Sequence, residues 1–171
     1  MKNFKTSFGK SKVSQSQKTK MVQDVFSDVA KKYDLMNNLM SFGTHHLWKK
    51  KLIQLMNIQS NDLIVDVGAG TGDIANLIQK NYSTASIISI DLNFNMLKRG
   101  KEKVKNKSNQ TFWVNCNAEH LPFQNNTFDK YIISFCLRNI TQIDNVLYEA
   151  IRVLKPGGSF YCLEFSTPIS P

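Results

Sequence analysis

Only three cysteines, at positions 116, 136 and 162, occur in the 171 residues, 20 and 26 apart, with no C-x-x-C and no adjacent histidine. That excludes a disulfide framework or a cysteine metal centre and leaves three reduced thiols in apolar settings. No run of about 18 apolar residues is present, and the first residues, MKNFKTSFGKSK, carry charge without an apolar stretch. The chain is therefore read as cytoplasmic, without a membrane span or secretory signal. Arginine is scarce: Arg99, Arg138 and Arg152 are the only ones among 22 basic residues, so the net charge of +9 is a lysine charge. Much of it is local, with six lysines and no acid in residues 1–20 and a second cluster from Lys98 to Lys107 broken only by Glu102. Such runs are mostly solvated faces or disordered arms; the competing reading is contact with anionic lipid headgroups or nucleic acid. Interleaved aromatics and nucleic-acid-module signatures are missing too, so nucleic acid is not an expected partner.

What is present centres on Leu63 to Asp73, LIVDVGAGTGD. An apolar run ends in Asp66, and glycines follow at 68, 70 and 72, which reads as strand, tight turn and helix start. Glycine admits left-handed backbone angles and lets a ligand approach without a Cβ in the way, while the N–H groups of the next helix point at that ligand. A dinucleotide fingerprint starting at Gly68 would require a third glycine at 73; Asp73 stands there and would repel a pyrophosphate. The D-x-G-x-G-x-G spacing resembles the first motif of class I methyltransferases, whose cofactor S-adenosylmethionine carries an ammonium and a sulfonium in place of phosphates. Acidic residues around the loop then make electrostatic sense.

The length suits one α/β domain. Residues 1–17 read as a disordered basic arm and 18–171 as the domain. Val22, Val25, Phe26, Val29 and Ala30 fall at helical intervals, and KKYDLMNNLMSFGTHHLWKK reads as a lid on the core. Trp48, Leu52, Leu55 and Met56 give a second helical stripe. Strands are expected at Leu63–Val67, Ser86–Ile90, Thr111–Asn115, Asp129–Phe135 and Ser159–Phe165. Helices fall between them, the last one ended by Lys155-Pro156-Gly157-Gly158. This alternation predicts a doubly wound, mostly parallel sheet with ligands at the carboxyl ends of its strands. Asp91, closing the second strand, can accept both hydroxyl protons of a ribose or can cap the next helix, a task that Asn93 could also perform. Asn117 and Ala118 follow the third strand, where an amide and a backbone N–H can meet an adenine edge.

Three separated stretches, VAKKYDLMNNLMSFGTHHLWK, DVGAGTGDIA, and NAEHLPF with ISFCLRNIT, RVLKPGG and LEFS, together resemble the C-methyltransferases of ubiquinone and menaquinone biosynthesis, the UbiE type. The resemblance spans about Val22 to Ser166. It implies a Rossmann-like methyltransferase fold and transfer of a methyl group from S-adenosylmethionine to a ring carbon of a polyprenylated quinol. By motif, the cofactor residues are Asp66, Gly68, Gly70, Thr71, Gly72, Asp91, Asn117, Ala118 and Ser134. Two positions depart from the pattern: Cys136 precedes LRN where the family usually has glycine, and His46 stands where an arginine commonly follows the histidine.

A ring carbon attacks a sulfonium methyl once an ortho hydroxyl is deprotonated, and a phenol-like hydroxyl near pKa 10 needs help at neutral pH. Arg138 is permanently protonated and suited to holding that oxyanion; a charge about 4 Å away at an effective dielectric of about 20 contributes roughly 4 kcal/mol before desolvation. Asn139 can orient the same oxygen, and the resemblance adds Tyr33 to the patch. His45 is either a base with pKa near 6.5 or a structural hydrogen-bonding group beside Trp48. Competing readings are a cofactor-binding remnant without turnover and an RNA methyltransferase. The family adds two strands after the fifth. Their counterparts are not found here, which predicts a C-terminally truncated unit with strand five as an apolar edge guarded by Glu164. Partners expected are the quinol, the membrane surface, and a second copy or a quinone-biosynthesis complex.

Overall fold

The computed structural model describes residues 5–8, 11–14, 17, 21, 43–104 and 110–165. The Val22–Ala30 helix, Tyr33 and most of the expected lid lie outside the described residues. In the stretch read as a disordered arm, β1 (Lys5–Phe8) pairs antiparallel with β2 (Ser11–Ser14). A two-stranded ladder of this kind is by itself marginal in water.

The body of the chain alternates as expected. In order come α1 (Thr44–Leu55), β3 (Leu63–Val67), α2 (Asp73–Asn81), β4 (Ser86–Asp91), α3 (Phe94–Lys103), β5 (Thr111–Asn115), β6 (Phe128–Ser134), a 3-10 turn (Leu137–Asn139), α4 (Ile143–Val153) and β7 (Leu154–Leu163). The sheet order is β5-β4-β3-β6-β7, with every pair parallel. Winding begins at β3, runs to β4 and β5 on one side, and then returns to β6 and β7 on the other. A crevice opens at the carboxyl ends beside the strand where the direction reverses.

Both faces of the sheet are covered, and the side-chain period of two sorts the residues between them. Ile64, Ile87 and Ile132 pack with Leu52, Ile53, Met56, Ile74 and Ile78 from α1 and α2. Val65, Val67, Ile90, Tyr131 and Ile133 pack with Val146, Ala150 and Val153 of α4. A parallel strand buried on both faces has no polar alternation, which is why β3 reads as a continuous apolar run until Asp66.

Two element boundaries differ from expectation. β7 begins at Leu154, opposite Phe128, and its register then jumps so that Ser159 lies opposite Lys130. Lys155–Gly158 thus forms an excursion inside the strand, with Gly157 at φ 82°. β6 ends at Ser134 because Phe135 turns to φ 54°, a left-handed conformation rare for an aromatic residue. Among the described residues β7 is an outer strand of the sheet. Glu164 beside it does not guard the edge as a free charge, since it is ion-paired with Arg138.

Candidate active site

The glycine loop is shaped by three left-handed residues, Gly68 (φ 69°), Gly70 (φ 56°) and Gly72 (φ 76°). Ala69 donates its N–H to the Ile90 carbonyl at 2.9 Å, tying the loop to the end of β4. Gly72 is needed for packing: a Cβ there would lie 2.5 Å from the Trp113 ring. Gly68 faces a different neighbour, since a Cβ there would clash with Cys136 Sγ. The thiol that replaces the family's usual glycine therefore rests directly on the loop's first glycine.

Beside the loop a cleft encloses about 870 Å³, its open mouth included. Gly68, Gly70, Asp91, Asn117 and Ala118 line it, as does Asn139, so the structure brings these expected residues together. It also brings in Met96, Cys116, Glu119, Phe135, Cys136, Ile140 and Thr141. Thr71, Gly72, Asp66, Ser134, His45 and Arg138 do not line it.

At the end of β4, Asp91 Oδ2 accepts the Gly70 N–H at 2.9 Å and Oδ1 accepts the Asn93 N–H at 2.8 Å. Asn93 caps α3 by accepting the Met96 N–H, which releases Asp91 from that task. Burial raises the Asp91 pKa against the pull of these N–H groups. Across β5, Asn117 Oδ1 accepts the Glu119 N–H in a side-chain-closed turn that presents Asn117 and Ala118 to the cleft.

Asp66 is 1% exposed. Burial lifts its pKa to about 7, opposed by Lys49 and assisted by Asp91 and Asp73. Its Oδ2 and the Ser134 Oγ are buried without a hydrogen-bond partner among the described residues. Asp66 pairs across the sheet with Ile132, two residues before Ser134, so both point to the α1 and α2 side.

Lys49, from α1, was not legible as a site residue because its neighbours Lys50 and Lys51 make it look like part of a solvated run. It is buried, with Nζ 2.7 Å from Asp73 Oδ2 and 5.8 Å from the Phe135 ring centroid. Lys103 takes the other Asp73 oxygen at 2.7 Å. Although burial pushes Asp73 upward, the two lysines hold its carboxyl well below the usual carboxylate range.

Arg138 is half-exposed. Nη1 pairs with Glu164 Oε1, its backbone N–H reaches Glu164 Oε2 at 3.2 Å, and its guanidinium lies 5.2 Å from the Phe165 ring. Phe165 packs on Phe135 and Trp48, at 5.0 and 5.7 Å between centroids. His45 is buried in α1, its ring centroid 3.9 Å from that of His46 in a tilted arrangement.

One further lock was legible only as helix periodicity. Glu149 Oε2 accepts the Leu121 N–H at 2.6 Å, while Arg152 binds Glu149 and donates to the Leu121 and Phe123 carbonyls. The segment after Asn117 and Ala118 is thereby fixed to α4.

Several known proteins share this sequence and architecture. The C-methyltransferase UbiE of ubiquinone/menaquinone biosynthesis from Francisella tularensis subsp. holarctica is 46% identical over 99% of this chain and 69% of its own length. The corresponding protein of Wigglesworthia glossinidia brevipalpis is 41% identical over the same shares. A phosphoethanolamine N-methyltransferase 2 of Haemonchus contortus, solved with S-adenosyl-L-methionine, has a TM-score of 0.62 at 25% identity, over 66% of this chain and 26% of that one. A SAM-dependent methyltransferase of Aquifex aeolicus, with a TM-score of 0.63 at 20% identity over 72% of this chain and 68% of that one, has the same fold. A model of the ubiE/COQ5 methyltransferase family matches residues 12–171. On its sequence, sheet order and glycine-loop cleft, this chain belongs to the ubiE/COQ5 methyltransferase family.

Proposed function

We propose that this chain is a C-methyltransferase of ubiquinone or menaquinone biosynthesis that uses S-adenosylmethionine and acts on a polyprenylated quinol. The observation that carries the reading is the cleft at the reversal point of the sheet, where Gly68, Gly70, Asp91, Asn117 and Asn139 meet. The residues fit the cofactor. Asp91 is an acceptor for a ribose diol, Asn117 and Ala118 supply an amide and a backbone edge for adenine, and Asp66 is an acid behind the loop for an ammonium. The cofactor supplies an electrophilic sulfonium methyl.

The chain's own contribution is to orient the acceptor and stabilise its oxyanion. Asn139 lines the cleft, which supports a role for its amide in holding a hydroxyl oxygen. Arg138 acts from behind it, with its charge shared with Glu164; the roughly 4 kcal/mol available from a guanidinium about 4 Å away is cut by that opposing carboxylate. Release of Glu164 would restore it. Tyr33 joins the proposed acceptor patch only by family resemblance, and His45 is a base or a structural group. A polyprenylated acceptor resides in the bilayer, and no helix among the described residues is long and apolar enough to cross it, so the reading requires contact with the membrane surface.

The test is incubation of the purified chain with methyl-labelled S-adenosylmethionine and a short-chain demethylmenaquinol, with mass spectrometry of the product. A carbon-bound methyl is expected. In Arg138→Lys, which keeps charge but loses the planar fork, turnover falls about tenfold or more while affinity for S-adenosylhomocysteine stays level. Turnover unchanged in that variant would reduce Arg138 to a structural partner of Glu164.

A further inference from the structure

α1 buries one side and leaves the other bare. His45, Lys49, Leu52 and Ile53 turn inward, whereas Leu47 and Leu55 are 64% and 63% exposed and Trp48 is 40% exposed. Residues four apart share a helix face, so Leu47, Lys51 and Leu55 form one outward row, with Trp48 bordering it. Lys50 and Lys51 are exposed as well, and the twelve residues THHLWKKKLIQL contain no acid. Lysines interleaved with bare leucine and tryptophan are the composition of helices that lie in a lipid interface. Another exposed apolar row, Ile143, Leu147 and Ile151 on α4, carries Asp144 and no lysine, so charge singles out α1. The row on α1 also leads to the cleft. The Trp48 ring meets Phe165 edge-on at 5.7 Å between centroids and lies 6.3 Å from Phe135. Phe135 and Phe165 are 5.0 Å apart, and Phe135 lines the cleft. An aromatic path thus joins the outer face of α1 to the cleft wall. Arg138 over Phe165 is already paired with Glu164, which leaves Lys50 and Lys51 as the cations of this face.

We propose that the outer face of α1 docks on an anionic phospholipid bilayer, with Leu47, Trp48 and Leu55 entering the headgroup layer and Lys50 and Lys51 pairing with lipid phosphates. This rests on the reading of the acceptor as a bilayer-resident quinol and names the face by which the chain reaches it. Lysine stems lie along apolar surface while their ammonium groups stay at the level of the phosphates. Tryptophan favours the same depth, with its ring toward the acyl chains and its N–H toward water. Docked in this way, the chain sets its aromatic path between the lipid layer and the cleft, so the acceptor enters without crossing bulk water.

Trp48 fluorescence in a Trp113→Phe chain, which retains a single tryptophan, reads the docking directly. Phosphatidylglycerol vesicles should shift the emission to the blue, and lipids brominated in the upper acyl chain should quench it; phosphatidylcholine vesicles should do neither. Lys50→Gln with Lys51→Gln should weaken vesicle binding about fivefold per lysine. Leu47→Gln with Leu55→Gln should weaken it about tenfold or more and abolish the quenching. In that leucine variant, turnover of a long-chain quinol carried in vesicles should fall about tenfold, with turnover of a soluble short-chain quinol unchanged. Emission unmoved by the vesicles, or binding that stays level in both double variants, would overturn the proposal. Light scattering in which the leucine variant alone drops from dimer to monomer would give the face to a second copy and overturn it too. Should Trp113→Phe lose its cooperative melt, vesicle sedimentation of the native chain and the two double variants decides. Docking without methylation of either quinol would sink the C-methyltransferase reading and leave the face; methylation of the soluble quinol without docking would do the reverse.

Discussion

Asp66 and Asp91 end adjacent parallel strands, yet their surroundings give them different work. Asp91 lines the cleft and accepts backbone N–H groups, Gly70 and Asn93 among them, whereas Asp66 is buried with one oxygen unpartnered among the described residues. Because the folded pKa of Asp66 is raised from 3.8 to about 7 by burial, the native state binds the extra proton between those values. Stability then falls as pH rises through that window, by on the order of 4 kcal/mol for this group. Asp91, raised for the same reason, acts in the same direction. Asp73, Asp129 and Glu149 are lowered, so their contributions are lost only as pH drops below the usual carboxylate range. Denaturant melts at pH 5 and pH 7.5 should show the chain more stable at the lower pH, and Asp66→Asn should flatten most of the difference. An unchanged slope in that variant would mean that Asp66 ionises normally. For Asp91 the expected measurement is affinity: Asp91→Ala removes two charge-assisted acceptors and should cost S-adenosylhomocysteine binding about 2 to 4 kcal/mol by calorimetry. Unaltered affinity would remove Asp91 from the ribose site.

At the scale of elements, the glycines of the loop divide into packing and ligand positions, a division that spacing alone does not reveal. Gly72 meets Trp113 from β5, and Gly100 of α3 meets the same ring from another side. Gly72→Ala therefore combines left-handed strain with a clash and should destabilise by about 2 to 4 kcal/mol in a urea melt. Trp113→Phe in the same chain should return the clash portion and leave about 1 kcal/mol of backbone strain. No recovery would place the cost elsewhere. The lock between α4 and the segment after Asn117 makes a second test. Glu149→Ala leaves the Leu121 N–H and the Arg152 guanidinium without their carboxylate. A loss of about 2 to 3 kcal/mol in stability is expected. Weaker adenine-side binding should accompany it, since that segment carries Asn117 and Ala118; affinity that stays level while stability drops would show that the lock is structural only.

For the whole molecule, the doubly wound order concentrates chemistry at one end of the sheet. Residues as distant in sequence as Gly68, Asn117 and Asn139 share the cleft because β3, β5 and β6 all point their carboxyl ends the same way. The lysine-rich first 20 residues belong to this scale as well. With about 1 kcal/mol per lysine near an anionic surface, their deletion should lower sedimentation with phosphatidylglycerol vesicles and leave phosphatidylcholine vesicles unaffected. No difference would assign those lysines to solvation.

The chain itself determined the order of strands and helices, the glycine loop, and the family, because hydrophobic period and glycine spacing are local properties carried by consecutive residues. Asp91, Asn117 and Ala118 were legible as cleft residues for the same reason, each standing at or just beyond the end of a strand, whereas Asn139 was legible only from the LRN motif. Only the tertiary structure decided that Lys49 is buried, that Gly72 is a packing residue, that Glu164 neutralises Arg138, and that Cys136 rests on Gly68. Each of those facts is a contact between side chains far apart in sequence, and burial and charge balance are set by what the folded chain brings alongside. A lysine in a run of three reads as solvated until a helix turns it inward against Asp73.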